Sequence, residues 1–234
     1  QNQSSAASDV YKRQQYGIPI ARIEMLNADQ MGISIDYSKL KDIEAVPTLF
    51  FEFHGSEISN NENIKIVEDI SKDNNGSSFK WAKDLEERNK IWKARWDVYY
   101  SVKALHNNGR VYSTDVCVPI SNITECVKFA EEQAKKFGVR APMVGHMGDG
   151  NFHVVLPYDP AKKEMYKQIR AFNDTLIRKA LELNGTITGE HGVGLHKKEY
   201  LLEQHPDNIP VMKSIKRTLD PNNIMNPGKI FDLN

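Results

Sequence analysis

The stretch Gly145-His146-Met147-Gly148-Asp149-Gly150-Asn151-Phe152-His153 constrains this chain most, because its pattern makes it fold back on itself. Asp-Gly is a favoured pair for a two-residue type I′ hairpin loop, in which both central residues need positive φ. With Asp149 and Gly150 as that loop, Gly148 pairs with Asn151, Met147 with Phe152 and His146 with His153. The imidazoles then stand opposite each other on one face, where cross-strand Cβ atoms lie about 4.5–5.5 Å apart. Rings so placed can converge on one ion at a metal to nitrogen distance of about 2.0–2.1 Å. The competing reading is a pair of histidines satisfied by ordinary hydrogen bonds. Asp149 is assigned to the turn in preference to a ligand role.

A second constellation, Gly185-Thr186-Ile187-Thr188-Gly189-Glu190-His191-Gly192-Val193-Gly194, follows a long amphipathic segment. Its glycines allow close backbone approach while an adjacent Glu and His sit on an irregular loop. Glu190 would complete a His146/His153/Glu190 set with an open coordination position, the arrangement of catalytic metals. His191 would then be free for proton transfer, a role suited to an imidazole whose ordinary pKa lies near neutrality. The plainer alternative is a glycine-rich cap with a salt-bridged Glu. The glycine spacing does not fit the dinucleotide fingerprint, and no βαβ unit frames it. Arg95 could clamp a carboxylate bidentately or simply be solvated. The turn-rich residues 219–230 read as an ordered loop lying on a neighbour.

Around these motifs, strand-like runs at 21–26, 48–54, 79–82, 110–119 and 143–158 alternate with helical patterns at 28–36, 58–73, 83–106, 121–137 and 160–183. Ser121 reads as the cap of one helix and Gly138 as its end; Trp81, Trp92, Arg95 and Trp96 fall on another. Short helices at 197–203 and 208–219 close the chain. This order implies an α+β fold, a mostly antiparallel sheet with helices on one face and a C-terminal helical segment. Residues 1–17 are polar and aperiodic, and read as a tail or linker before a domain spanning 18–234. Lys and Arg total 31 against 31 Asp and Glu, so no basic footprint points to nucleic acid or an anionic membrane. No run of about 18 apolar residues spans a membrane, and the start lacks the apolar core of a signal peptide. The two cysteines, Cys117 and Cys126, form no CxxC and suggest a reducing compartment.

In combination, VYSTDVCVPIS, GHMGDGNFH, GTITGEHGVG and LDPNNIMNPGKIF resemble the C-terminal half of FAD-linked D-2-hydroxyacid dehydrogenases of the vanillyl-alcohol oxidase type, especially the cytochrome-linked D-lactate dehydrogenases. The resemblance runs from about Ala21 to the end and implies a ferredoxin-like cap domain that binds substrate and metal. An FAD-binding domain should precede it. That domain is expected to be missing here, since no glycine-rich phosphate loop precedes Ala21, and the piece alone is expected to be inactive. Carried onto this sequence, the resemblance makes His146, His153 and Glu190 ligands of Zn²⁺ or Mn²⁺, and His191 the base. It puts Arg95 on the substrate carboxylate, and Asn151 and Asn226 toward the flavin. Tyr99, Ser113 and Val155 stand where relatives that take a diacid carry further polar groups, which favours a small monocarboxylate such as D-lactate. D-2-hydroxyglutarate and glycolate are the alternatives within the family. A metal hydrolase or an inactive metal-binding fragment is the alternative outside it. The implied electron acceptor is cytochrome c or a quinone, and the implied location is a bacterial cytoplasm, membrane-associated or not, or a mitochondrion.

Overall fold

The computed structural model describes residues 18–41, 43–82, 84–106 and 108–233; the tail reading of 1–17 lies outside them. The strands are β1 (Ile20–Leu26), β2 (Thr48–Phe53), β3 (Arg110–Ser113), β4 (Val116–Cys117), β5 (Met143–His146) and β6 (Asn151–Tyr158). The helices are α1 (Ala28–Ser38), α2 (Glu57–Asp73), α3 (Leu85–Trp96), α4 (Val98–Lys103), α5 (Ile123–Phe137), α6 (Lys163–Glu182), α7 (Lys198–Gln204) and α8 (Ile209–Leu219). The strands form one antiparallel sheet in the order β2-β1-β5-β6-β3, with β4 also paired to β6. β3 and β5 flank β6 and are joined through α5, a split βαβ unit.

Alternation along the strands sorts their side chains into two cores. Ile23, Met25, Met143, Phe152, Val154 and Leu156 pack with Ile123, Cys126, Val127 and Ala130 of α5 and with Ile169, Phe172, Leu176 and Ile177 of α6. The intervening residues Leu26, Val144 and Val155 turn to the other face and meet Met31 and Ile33 of α1, Trp92 of α3, and Val98 and Val102 of α4. The α+β class and antiparallel sheet are as expected, but helices cover both faces. That is why β6 is buried over nearly its whole length, and why Val154, Val155 and Leu156 run on as consecutive apolar residues where a half-exposed strand would alternate.

Local expectations differ at several points. Residues 79–82 form no strand, and Trp81 precedes α3. The segment 83–106 divides into α3 and α4 at Asp97, and 110–119 into β3 and β4. Ser121 sits in a short 3₁₀ turn, and α5 begins after Asn122 without a side-chain cap. Gly138 does end α5, with φ 64°.

The hairpin register also shifts. Its loop is four residues, 147–150, and His146 pairs with Asn151 while His153 pairs with Val144. Met147 causes the change: its side chain is buried in the α5/α6 core and its N–H donates to the Ile23 carbonyl at 2.9 Å. Gly150 has φ 77°, and a Cβ there would lie 2.0 Å from the Val118 carbonyl oxygen. The shift preserves side-chain parity, so both histidines remain on one face as diagonal neighbours.

Candidate metal and substrate site

On the face away from α5 and α6, β1 sets Glu24 directly opposite His146 of β5. Glu24 is buried at 3% exposure. Its Oε1 accepts from His146 Nδ1 at 2.7 Å and its Oε2 from Arg95 Nε at 2.8 Å. Burial opposes the Glu24 charge, but the His146 and Arg95 hydrogen bonds and charges outweigh it and hold the carboxyl below its ordinary range. The same bond to Glu24 raises His146.

His153 lies two residues beyond Asn151 on the same face, its ring centroid 5.7 Å from that of His146. Its Nδ1 bonds the Thr114 carbonyl at 2.9 Å. A carbonyl can only accept, so Nδ1 carries a hydrogen, and in the neutral ring Nε2 then carries the lone pair. Burial pushes the His153 imidazole below its ordinary value, toward that neutral form.

The glycine-rich loop is tied to β4 by paired hydrogen bonds between Cys117 and Thr186 and is gathered around Asp115. This carboxylate, 1% exposed, accepts from the backbone N–H of Gly189, Glu190 and His191 at 3.0–3.4 Å, from Thr188 Oγ1, and from Asn151 Nδ2 at 2.9 Å. Lys197 Nζ lies 3.4 Å from it and donates to the Asp115 and Ile187 carbonyls. Burial opposes the Asp115 charge, but these donors win and hold its carboxyl well below the usual range. Burial lowers the Lys197 ammonium, against the pull of Asp115. A Cβ on Gly189 would lie 2.1 Å from Asn151 Nδ2, so only glycine lets the loop approach this closely.

Held this way, the loop places Glu190 Oε1 2.9 Å from His153 Nε2, 3.5 Å from His146 Nε2 and 3.6 Å from His191 Nε2. The His191 ring stacks on that of His153, centroids 4.6 Å apart and planes 7° from parallel. Ligand atoms of His146, His153 and Glu190 all lie within 4.8 Å of one another. His153 Nε2 is buried and makes no hydrogen bond, although a carboxylate oxygen lies 2.9 Å away. In the neutral ring a lone pair thus faces an anionic oxygen, an unfavourable pairing of acceptors that a proton or a metal cation between them would satisfy. The donor set, two imidazoles and one carboxylate, fits a first-row divalent ion. Asp115, His153 and His191 also cluster, but the Asp115 oxygens are already occupied by backbone and side-chain donors.

Residues 1–230 match the C-terminal domain of FAD linked oxidases. The chain belongs to this family. It is 42% identical over 230 residues to the probable mitochondrial D-lactate dehydrogenase of Danio rerio, covering 98% of this chain and 46% of that protein. It is 37% identical to the mitochondrial D-lactate dehydrogenase [cytochrome] of Arabidopsis thaliana, covering 92% and 38%. It is 32% identical to glycolate oxidase subunit GlcD of Bacillus subtilis, covering 90% and 45%. The chain therefore spans less than half the length of these relatives. Among solved structures, p-cresol methylhydroxylase shares the fold with TM-score 0.65 and 15% identity, over 91% of this chain and 47% of that one.

Within this FAD-linked oxidase domain, the sequence-predicted residues separate into groups. His146, His153, Glu190 and His191 come together, and Arg95 joins them through Glu24. Asn151 is buried, and its amide donates to Asp115 Oδ1 and to the Val116 carbonyl at 2.8 Å; it braces the glycine loop from within. Asn226 is exposed on the C-terminal turn with φ 48°. That turn is anchored to the glycine loop where Ile230 N–H meets the Gly194 carbonyl at 2.8 Å. Sequence reasoning missed Glu24, Asp115 and Lys197. The available signal was a carboxylate inside a strand-like run, at Arg22-Ile23-Glu24-Met25 and at Ser113-Thr114-Asp115-Val116, where acidic residues are disfavoured unless partnered.

Proposed function

We propose that this chain is the substrate-binding part of an FAD-dependent D-2-hydroxyacid dehydrogenase that oxidises D-lactate to pyruvate. The observation that carries the reading is the convergence of the His146, His153 and His191 Nε2 atoms on Glu190 Oε1. His146, His153 and Glu190 would hold a divalent ion, Zn²⁺ or Mn²⁺. When bound, FAD takes up the two electrons of the oxidation and the ion lends Lewis acidity to the substrate hydroxyl. Arg95, its Nε directed to Glu24, offers its remaining N–H groups to the substrate carboxylate. His191 accepts the hydroxyl proton at Nε2; its side chain is 42% exposed, so it can pass that proton to solvent. Stacking on the His153 ring fixes the plane in which this transfer occurs.

Ser113 and Val155 are cross-strand partners, and Val155 is buried among apolar residues. They offer no cation for a second carboxylate, which favours a monocarboxylate over D-2-hydroxyglutarate. The identity to GlcD supports glycolate as the second substrate reading. The name of the Arabidopsis thaliana relative supports a cytochrome as electron acceptor, with a quinone as the alternative, and both named relatives support a mitochondrial location. Of the two asparagines that the resemblance carries toward the flavin, exposed Asn226 is the one assigned to face it, whereas the amide of buried Asn151 is spent on Asp115 and Val116.

The test uses the full-length protein. His191→Ala should slow flavin reduction by D-lactate by about 10²–10⁴-fold, the usual contribution of a positioned base, with flavin content unchanged. Reduction at the wild-type rate would refute the assignment. Comparing D-lactate, glycolate and D-2-hydroxyglutarate separates the substrates.

A further inference from the structure

Glu24 occupies a position that a sheet interior rarely grants to a carboxylate. It is flanked in sequence by Ile23 and Met25, both buried in the core on the far side of the sheet, and shares its own side with Leu26 and Val144 of the second apolar cluster. Its two oxygens are divided between two functional groups from distant parts of the chain. Oε1 takes the Nδ1 hydrogen of His146 at 2.7 Å, and Oε2 takes the Nε hydrogen of Arg95 at 2.8 Å. A merely structural buried carboxylate has no need to partition itself between a candidate metal ligand and a candidate substrate clamp.

We infer that Glu24 is a positioning residue that sets the His146 ring for metal and the Arg95 guanidinium for the substrate carboxylate at once, so that ion and substrate are oriented by one buried anion. The inference rests on the dehydrogenase reading for its substrate half. Accepting at Nδ1 fixes the ring tautomer, leaving the Nε2 lone pair directed to the point shared with His153 and Glu190. Accepting at Arg95 Nε orients the guanidinium plane and leaves its outer N–H groups for a bidentate anion. A glutamine cannot satisfy both partners. If its carbonyl oxygen accepts from Arg95, its NH₂ faces His146 and favours the Nε2–H tautomer, which cannot ligate. If the oxygen accepts from His146, the NH₂ confronts the Arg95 N–H.

The experiment compares Glu24→Gln with wild type in the full-length protein, with flavin content and thermal midpoint checking that the variant folds. Zn²⁺ affinity, measured against a competing chelator, should weaken by roughly 10–100-fold, the effect expected for losing an outer-shell partner of a metal-bound histidine. The KM for D-lactate should rise more than kcat falls. A folded variant with wild-type Zn²⁺ affinity or wild-type KM overturns the inference. Should the variant not fold, heteronuclear NMR of the histidine ring nitrogens in the wild-type chain decides: metal-free His146 should be held with its hydrogen on Nδ1, and a ring carrying it on Nε2 overturns the inference equally. Failure of the D-lactate reading is distinguishable, because it abolishes wild-type turnover while leaving the Zn²⁺ and tautomer measurements intact.

Discussion

Replacing Asp115 by asparagine tests what holds the glycine-rich loop in place. The Asp115 carboxylate accepts from three successive backbone N–H groups of the loop, from Thr188 and Asn151, and lies beside Lys197. Hydrogen bonds to a charged group are worth about 1.5–3 kcal/mol each, but bonds sharing one acceptor do not add. A safer figure is that for removing one member of a buried ion pair, about 3–5 kcal/mol. Asparagine keeps the shape and one oxygen, so the lower end applies: a loss of about 3 kcal/mol. Urea unfolding of the chain followed by tryptophan fluorescence measures it. The pH dependence has a definite sign. The Asp115 carboxyl is lowered in the fold from about 3.9 in an unfolded chain. Its contribution is therefore complete above about pH 4 and is lost as pH falls toward the folded value. Wild type should lose stability on acidification below pH 4 more steeply than Asp115→Asn. In the full-length protein the variant should also slow flavin reduction, because Glu190 and His191 lose their anchor. A loss under about 1 kcal/mol with unchanged flavin reduction would refute the account, since that is the scale of an ordinary neutral hydrogen bond.

Gly150→Ala should destabilise by more than about 2 kcal/mol, combining a left-handed backbone with a Cβ 2.0 Å from the Val118 carbonyl oxygen; a thermal midpoint within error of wild type contradicts this. Cys126 is fully buried, and burial pushes its thiol up to about 12. Iodoacetamide at mildly alkaline pH should therefore label the partly exposed Cys117 first, with Cys126 reacting only after denaturation, as read by peptide mass spectrometry. Asp29→Ala removes the exposed pair with Arg140 and should cost no more than about 1 kcal/mol, shrinking with added salt; a larger loss would mean the pair braces α1 against the sheet more than its exposure allows.

Local pattern carries much of this protein. The strand-like runs of β1, β2, β5 and β6, the apolar spacing of α5 and α6, and the left-handed end at Gly138 depend on neighbours within a few residues, and all are legible in the sequence. So is the placement of His146 and His153 on one face, because side-chain parity survives a two-residue change of register. The register itself was not legible. Asp-Gly prefers a tight loop, but burial of Met147 and its hydrogen bond to Ile23 outweigh that preference, and the deciding partner lies on β1.

The same distinction separates the side chains of the candidate site. His146, His153, Glu190 and His191 stand out because imidazoles and glycines cluster within short windows. Glu24 and Asp115 do not, since a lone carboxylate in a strand acquires meaning only from its partners. Those partners lie 122 and 71 residues away for Glu24, and 76 residues away for the Asp115 bond to His191. Long-range packing brings each acid out of water beside its donors, and burial makes those donors indispensable. Chain order thus names the candidate ligands and the candidate base, while folding selects the buried anions that hydrogen-bond to the groups around them.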